Sequence, residues 1–382
     1  MRILLVPSAY APSLGGVEEL TRNLAREYLR RNHEVEVWTH RYPAHLPPIE
    51  LLDGVPVRRF RFTLPGAKPG SLLRFARQAP RTLVQAAIAL KRFSPTVIHV
   101  QCFSSAASYA ALLAALFRIP LVITLQGETL MDDHDIYEHS STLRAALRWS
   151  LRKAATVTAC SSFVLEDAVR RFGLRAGDGL VIPNGVEDLS PLPAEPLPLP
   201  FSQFILAVGR VVPKKGFDLL LSAYAQIWRT APDVGLVIGG DGPALPELRH
   251  RIAGLGLRGK VALPGRLSRP QIAWAMRHAL VFVMPSRVEP FGIVALEAMQ
   301  AARPVILTNR GGASEIVTHD RDGLLIDPLD TSALARALSS LLADEVFRTR
   351  LATAGFQRSR LFSWRHVADR YLGLYEKVAL AG

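Results

Sequence analysis

Two carboxylates and two cations stand where they could hold an extended, phosphate-bearing ligand. Glu289 falls in a short loop after Val281 to Pro285, an apolar run that suits a buried parallel strand. Glu297 falls about five residues into a helix that Ile293, Leu296 and Met299 mark at helical spacing. At ~1.5 Å rise per residue the two acids are separated by several ångströms along one edge. Gly292 at the helix start offers backbone N–H groups and a partial positive charge, which favour phosphate between the acids. Arg210 and Lys215 follow another apolar run, Phe204 to Val208, and precede a helix that begins at about Asp218. Cations so placed can grip a diphosphate from two sides. Taken singly, a Glu on an amphipathic helix or a Lys-Lys turn needs no ligand. The signal lies in the whole strings.

The elements that must position these groups read as repeated strand–loop–helix units. Arg2 to Pro7, Val17 to Arg31 and Glu34 to Thr39 form a βαβ unit, whose right-handed crossover puts the Ser8 to Gly16 loop at the carboxyl edge of the sheet. Gly15 and Gly16 there allow close approach of an anion, although most Gly-Gly pairs only make turns. Pro95 to Val100 and Leu121 to Leu125 are strands, and their ends carry His99, Gln126 and Glu128. A lone strand-end His is more often structural than functional. Asp188 to Pro200 holds five prolines and little periodicity, so it is expected to be an extended, stiff linker. Gly239-Gly240-Asp241-Gly242 has the wrong glycine spacing for a dinucleotide fingerprint. Val261 to Leu263 leads into Pro264-Gly265-Arg266-Leu267.

A chain of 382 residues is expected to hold two domains, and 49% hydrophobic against 21% charged residues argues against disorder. Cys102 and Cys160 make no disulfide framework or metal knuckle and read as buried thiols of a reducing compartment, the cytoplasm. No signal peptide is apparent, and Arg118 and Pro120 interrupt the apolar segment Ala106 to Leu125. The formal charge is +13, and Gly54 to Gly127 contains no Asp or Glu, but Arg58, Arg59, Arg61, Lys68, Arg74, Arg77, Arg81, Lys91, Arg92 and Arg118. Arg74, Arg77 and Arg81 recur at helical spacing beside apolar residues, with Pro80 expected to kink or split the helix. Such a helix suits an anionic membrane surface, where each cation contributes about 1 kcal/mol. A merely solvated face is the plainer reading. Nucleic acid is not a partner, because no reading module accompanies the charge.

The string Glu289-Pro290-Phe291-Gly292 with Glu297 behind it resembles the EPFG and E-x7-E signature of retaining glycosyltransferases of the GT-B fold, family four. GGVEEL from Gly15, PNGV from Pro183, GRVVPKKGFDLLL from Gly209, GGASEIV from Gly311 and DGLLIDPLD from Asp322 are similar to that family too. The resemblance implies an α/β fold of two Rossmann-like domains facing across a cleft. Residues 1–187 would form the acceptor domain, 188–200 the linker and 201–363 the nucleotide-sugar domain, with a terminal helix at 364–382 packing back on the first. It implies a retaining hexosyltransferase that moves a sugar from a nucleoside-diphosphate sugar to an acceptor. The acid-free basic stretch suits a lipid-linked or cell-envelope glycan acceptor, with the cytoplasmic protein peripheral on the inner face of the membrane, and a soluble acceptor is the alternative.

By the same resemblance, Glu289 contacts donor-sugar hydroxyls and Glu297 holds the ribose, while the backbone of Phe291, Gly292 and Ile293 meets sugar and phosphate. Arg210 and Lys215 take the diphosphate, Arg266 and Leu267 lie by the base, and Gly16 approaches the phosphate. His99, Gln126 and Glu128, at strand ends that carry polar groups into the expected cleft, are candidates for the acceptor side. Many members have His where this chain has Gln126; Gln can position a group but is not protonated near neutral pH. No metal or other cofactor is expected. Asp132, Asp133 and Asp135 around His134 spell the metal motif of the other glycosyltransferase fold, but read as an exposed acidic loop. A nucleotide-sugar epimerase of the same fold and a non-catalytic sugar- or membrane-binding protein are the alternatives.

Overall fold

The structure is a computed structural model that describes residues 1–13, 15–66, 69–132, 135–189 and 191–381. Short apolar runs separated by amphipathic helices demand parallel strands buried on both faces. The chain divides into two such units, Met1–Gly185 with Trp364–Gly382, and Val186–Ser363.

In the first unit the described strands are β1 (Arg2–Pro7), β2 (Glu34–His40), β3 (Ile49–Leu52), β4 (Val55–Phe60), β5 (Val97–Gln101), β6 (Leu121–Leu125), β7 (Thr156–Ala159) and β8 (Gly179–Val181). Their order is β3-β4-β2-β1-β5-β6-β7-β8, with β3 antiparallel to β4 and the other pairs parallel. The order reverses between β1 and β5, the place where open α/β sheets bind ligands beyond their carboxyl ends. The core joins Ile3, Leu5, Leu24 and Tyr28 to Val367, Tyr371 and Tyr375 of the terminal helix Trp364–Ala381.

The second unit restarts the plan with β9 (Gln203–Val208), β10 (Val234–Gly239), β11 (Val261–Gly265), β12 (Val281–Met284), β13 (Val305–Thr308) and β14 (Leu324–Ile326). The order is β11-β10-β9-β12-β13-β14, parallel throughout, with its reversal between β9 and β12. The loops after these two neighbouring strands carry Arg210 and Glu289, so strand order alone makes those loops adjacent.

Two expectations need correction. Pro80 does not split its helix: Pro69–Phe93 runs through it. Pro80 and Ala76, whose carbonyl loses its partner, both face solvent, where water can accept the role. The proline-rich stretch is also more than a linker. Leu189 and Leu197 are buried, Arg277 donates to the Leu189 and Leu192 carbonyls, and Glu195 accepts from Gln271 at 2.9 Å. It is therefore packed on the second unit. Just before it, Val186 N donates to Phe362 O at 2.8 Å, which ties the two ends of the second unit's chain segment together.

Candidate active site

The densest polar constellation lies at the ends of β9 and β12. The turn Pro213–Lys215 closes on Gly216, whose φ of +68° is costly for other residues, and a Cβ there would stand 2.0 Å from the Pro285 carbonyl oxygen. Only glycine lets the turn press this closely on the loop that follows β12. The Lys215 chain then runs past Gly209, and its Nζ meets Glu289 Oε2 at 2.7 Å. Ser286 Oγ donates to the same oxygen at 2.8 Å, and the Glu289 residue is only 5% exposed. Arg210 stands exposed beside Gly209.

The loop itself is held from two directions. Arg287 donates to both Asp218 oxygens at 2.7 Å and to the Pro213 carbonyl at 2.7 Å, and its N–H reaches the Lys214 carbonyl at 2.8 Å. Burial opposes the Asp218 charge, but Arg287 and Arg251 outweigh it and hold the carboxyl below its ordinary range. On the other side, Glu289 N donates to Arg310 O at 3.0 Å and Gly312 N to Glu289 O at 2.8 Å. The helix Ile293–Gln300 starts at Gly292, φ +105°, with no side chain capping its first N–H groups. Phe291 is buried against Phe362.

Glu297 is buried four residues further along that helix, 6% exposed, and accepts from Arg269 Nη1 at 2.7 Å. Arg269 Nη2 also donates to Glu187 at 3.0 Å. Burial disfavours the guanidinium charge, yet the two carboxylates more than compensate and raise its pKa. No motif of the sequence reaches Arg269; the one signal is its place as first residue of Arg269–His278, inside the Ser268–Gln271 capping box. Arg266 is exposed, and Leu267 packs on Gly239.

In the first unit Gln126 is clamped at both ends of its carboxamide. Its Nε2 donates to Gln101 Oε1 at 3.2 Å, and its Oε1 accepts from Asn184 at 2.8 Å. Glu128 accepts from Gln126 N at 2.7 Å and Phe103 N at 2.6 Å, fastening the loops after β5 and β6 to each other, and burial raises its pKa. His99 is corrected: it is fully buried and leaves the acceptor side. The terminal helix covers it, with Tyr375 on Nδ1 and Thr124 on Nε2 at 2.7 Å, and burial pushes its pKa down to about 3. Gly16 opens the exposed start of the helix Gly16–Arg30, where an added Cβ would meet nothing within 4 Å. Asp132 accepts from Ile136 N and so caps a short helix, while Asp133 and His134 lie outside the described residues.

The acid-free stretch is less bare in space than in sequence. Arg58 pairs with Glu36 at 2.6 Å and buried Arg59 with Glu50. Along Pro69–Phe93, Leu72, Leu73, Val84 and Ile88 are about half exposed, next to exposed Arg74, Arg77, Arg81, Lys91 and Arg92. Lys68 lies outside the described residues. Among the described residues no helix is long and apolar enough to cross a membrane, and no His, Cys, Asp and Glu side chains cluster as a metal site.

Two parallel-sheet units, the second with cations and acids at its switch point, define the GT-B class of glycosyltransferase. Residues 15–185 match the family described as Glycosyl transferase 4-like domain, and residues 199–358 match Glycosyl transferases group 1. The chain belongs to the family-four group of these glycosyltransferases. It is 28% identical over 370 residues to an alpha-D-kanosaminyltransferase of Streptomyces kanamyceticus, covering 92% of each chain. In structure it resembles sucrose-phosphate synthase from Thermosynechococcus elongatus, with a TM-score of 0.81 at 22% identity over 100% of both chains. HepE of Anabaena in complex with UDP-glucose gives 0.75 at 22% identity, over 98% of this chain and 99% of that one.

Proposed function

We propose that the protein is a retaining hexosyltransferase that takes its sugar from a nucleoside-diphosphate sugar and passes it to a lipid-linked or cell-envelope glycan at the cytoplasmic face of the membrane. The observation that carries this reading is the 2.7 Å contact between Lys215 and Glu289. In a sugar diphosphate the hydroxyls and the first phosphate lie a few atoms apart, so the groups that hold them must be neighbours. HepE, a structural neighbour, binds UDP-glucose, which supports a donor of this kind.

In the proposed reaction Glu289 orients the sugar through its hydroxyls, and Glu297 holds the ribose. Phe291, Gly292 and Ile293 present backbone N–H groups at a helix start to sugar and phosphate. Arg210 and Lys215 stabilise the charge that grows on the departing diphosphate, which is the role a metal fills elsewhere, so no metal or other cofactor is required. Arg266 and Leu267 flank the base. Gln126, fixed by Gln101 and Asn184, positions the reacting partners without exchanging a proton, and the leaving phosphate takes the acceptor proton on the front face. The exposed apolar and basic face of Pro69–Phe93 supplies the membrane contact.

Thermal-shift titration with UDP, GDP and ADP and their sugars tests the donor site, since a ligand of the native state raises the melting point. One base should raise it, and its cognate sugar more. NMR of the product should show the donor's anomeric configuration retained, with turnover undiminished in EDTA. No shift with any of them, or an inverted product, would overturn the reading.

A further inference from the structure

Arg269 reaches Glu297 from a different helix, Arg269–His278, and pairs with it at 2.7 Å. Glu297 sits in a place that alone does not favour a carboxylate: its side chain is 8% exposed, on an eight-residue helix whose partial charge is positive at the start and has faded by its fifth residue. A carboxylate that must accept hydrogen bonds from a ligand has to be ionised and held in one rotamer. Arg269 supplies both conditions through Nη1 at 2.7 Å. Its second nitrogen is itself anchored, at 3.0 Å, by Glu187. A guanidinium fork shared between two acids has little rotational freedom, which a lysine ammonium would regain. The Ser268 capping box and Pro270 fix the backbone that carries it.

We propose that Arg269 is a positioning residue for donor recognition, which keeps the Glu297 carboxylate charged and aimed at the ribose hydroxyls of the bound nucleoside diphosphate, with Glu187 as its anchor. This rests on the donor reading given above. Arg269 touches neither sugar nor reacting atoms in this scheme; it acts through Glu297.

The test compares two ligands on one protein. Affinities of UDP, GDP and ADP are measured on the wild type, and for the one that binds, also those of its 2′,3′-dideoxy analogue. The wild type should prefer the ribose form about tenfold or more. In Arg269→Met that preference should fall toward unity, while the dideoxy analogue, held through diphosphate and base, binds as before. Arg269→Lys should restore part of the preference, and it carries the test if the Met variant does not fold. Unchanged preference in a folded variant, or a loss that falls equally on both ligands, would overturn the proposal. Failure of all three nucleotides to bind the wild type would instead sink the donor reading itself.

Discussion

Arg287 grips Asp218 through two hydrogen bonds of 2.7 Å, and in doing so rivets the loop after β12 to the turn after β9. These are the segments that carry Glu289 and Lys215. The pair works by holding geometry, so Arg287→Ala and Asp218→Ala should each lower kcat/KM about tenfold, and the double variant should be little worse than either. Additive losses in the double-mutant cycle would mean that the two residues act separately.

Glu289 is held by Lys215 and Ser286 at one oxygen. Glu289→Gln keeps the shape and removes the charge. We expect transfer to fall about 100-fold, as for other misplaced reacting groups, while nucleoside-diphosphate affinity stays near that of the wild type. Equal losses in steady-state turnover and in calorimetric affinity would assign Glu289 to the diphosphate instead.

His99 gives the first unit an acid-sensitive core. Its ordinary pKa of 6.5 applies to the unfolded chain, and burial lowers it to about 3 in the fold. The unfolded chain therefore binds the extra proton first, and stability is lost as pH falls below 6.5 toward 3. Tyr371 and Tyr375 pack against it, with Tyr28 bonded to Tyr375 behind them; all three have raised pKa values and stay neutral throughout this window. Between pH 7.5 and 5.5 the loss from this residue is about 1.4 kcal/mol. Denaturant melts of His99→Asn should be less stable overall but lack that part of the slope; an unchanged slope would assign it elsewhere.

The face of Pro69–Phe93 should bind vesicles that contain anionic lipid and release them as salt rises. Replacing Arg77 and Arg81 by Gln should weaken partitioning about fivefold for each residue, at about 1 kcal/mol per cation. Binding to neutral vesicles of equal strength, or no change in the variants, would leave the face as ordinary solvated surface.

Local sequence determined much of this protein. Apolar runs and helical spacing announce nearly every strand of both sheets, and strand–loop–helix order puts Arg210, Lys215, Glu289 and Glu297 at carboxyl ends, because that placement depends only on neighbours in the chain. The β3–β4 hairpin at one edge of the first sheet carries no comparable signal, since β3 is only four residues with every other one exposed, and β4 sets Pro56, Arg58 and Arg59 among its apolar residues. What tertiary structure decided is which charges meet. Lys215 and Glu289 are 74 residues apart, Arg287 and Asp218 69, and Arg269 and Glu297 28. Each pair forms because of where the folded sheet and its helices bring their loops, and residue spacing does not encode that. His99 shows the same limit in reverse. Its strand reads as ending in a polar group, but the Tyr375 of a helix 276 residues away closes over it and turns a candidate contact into core.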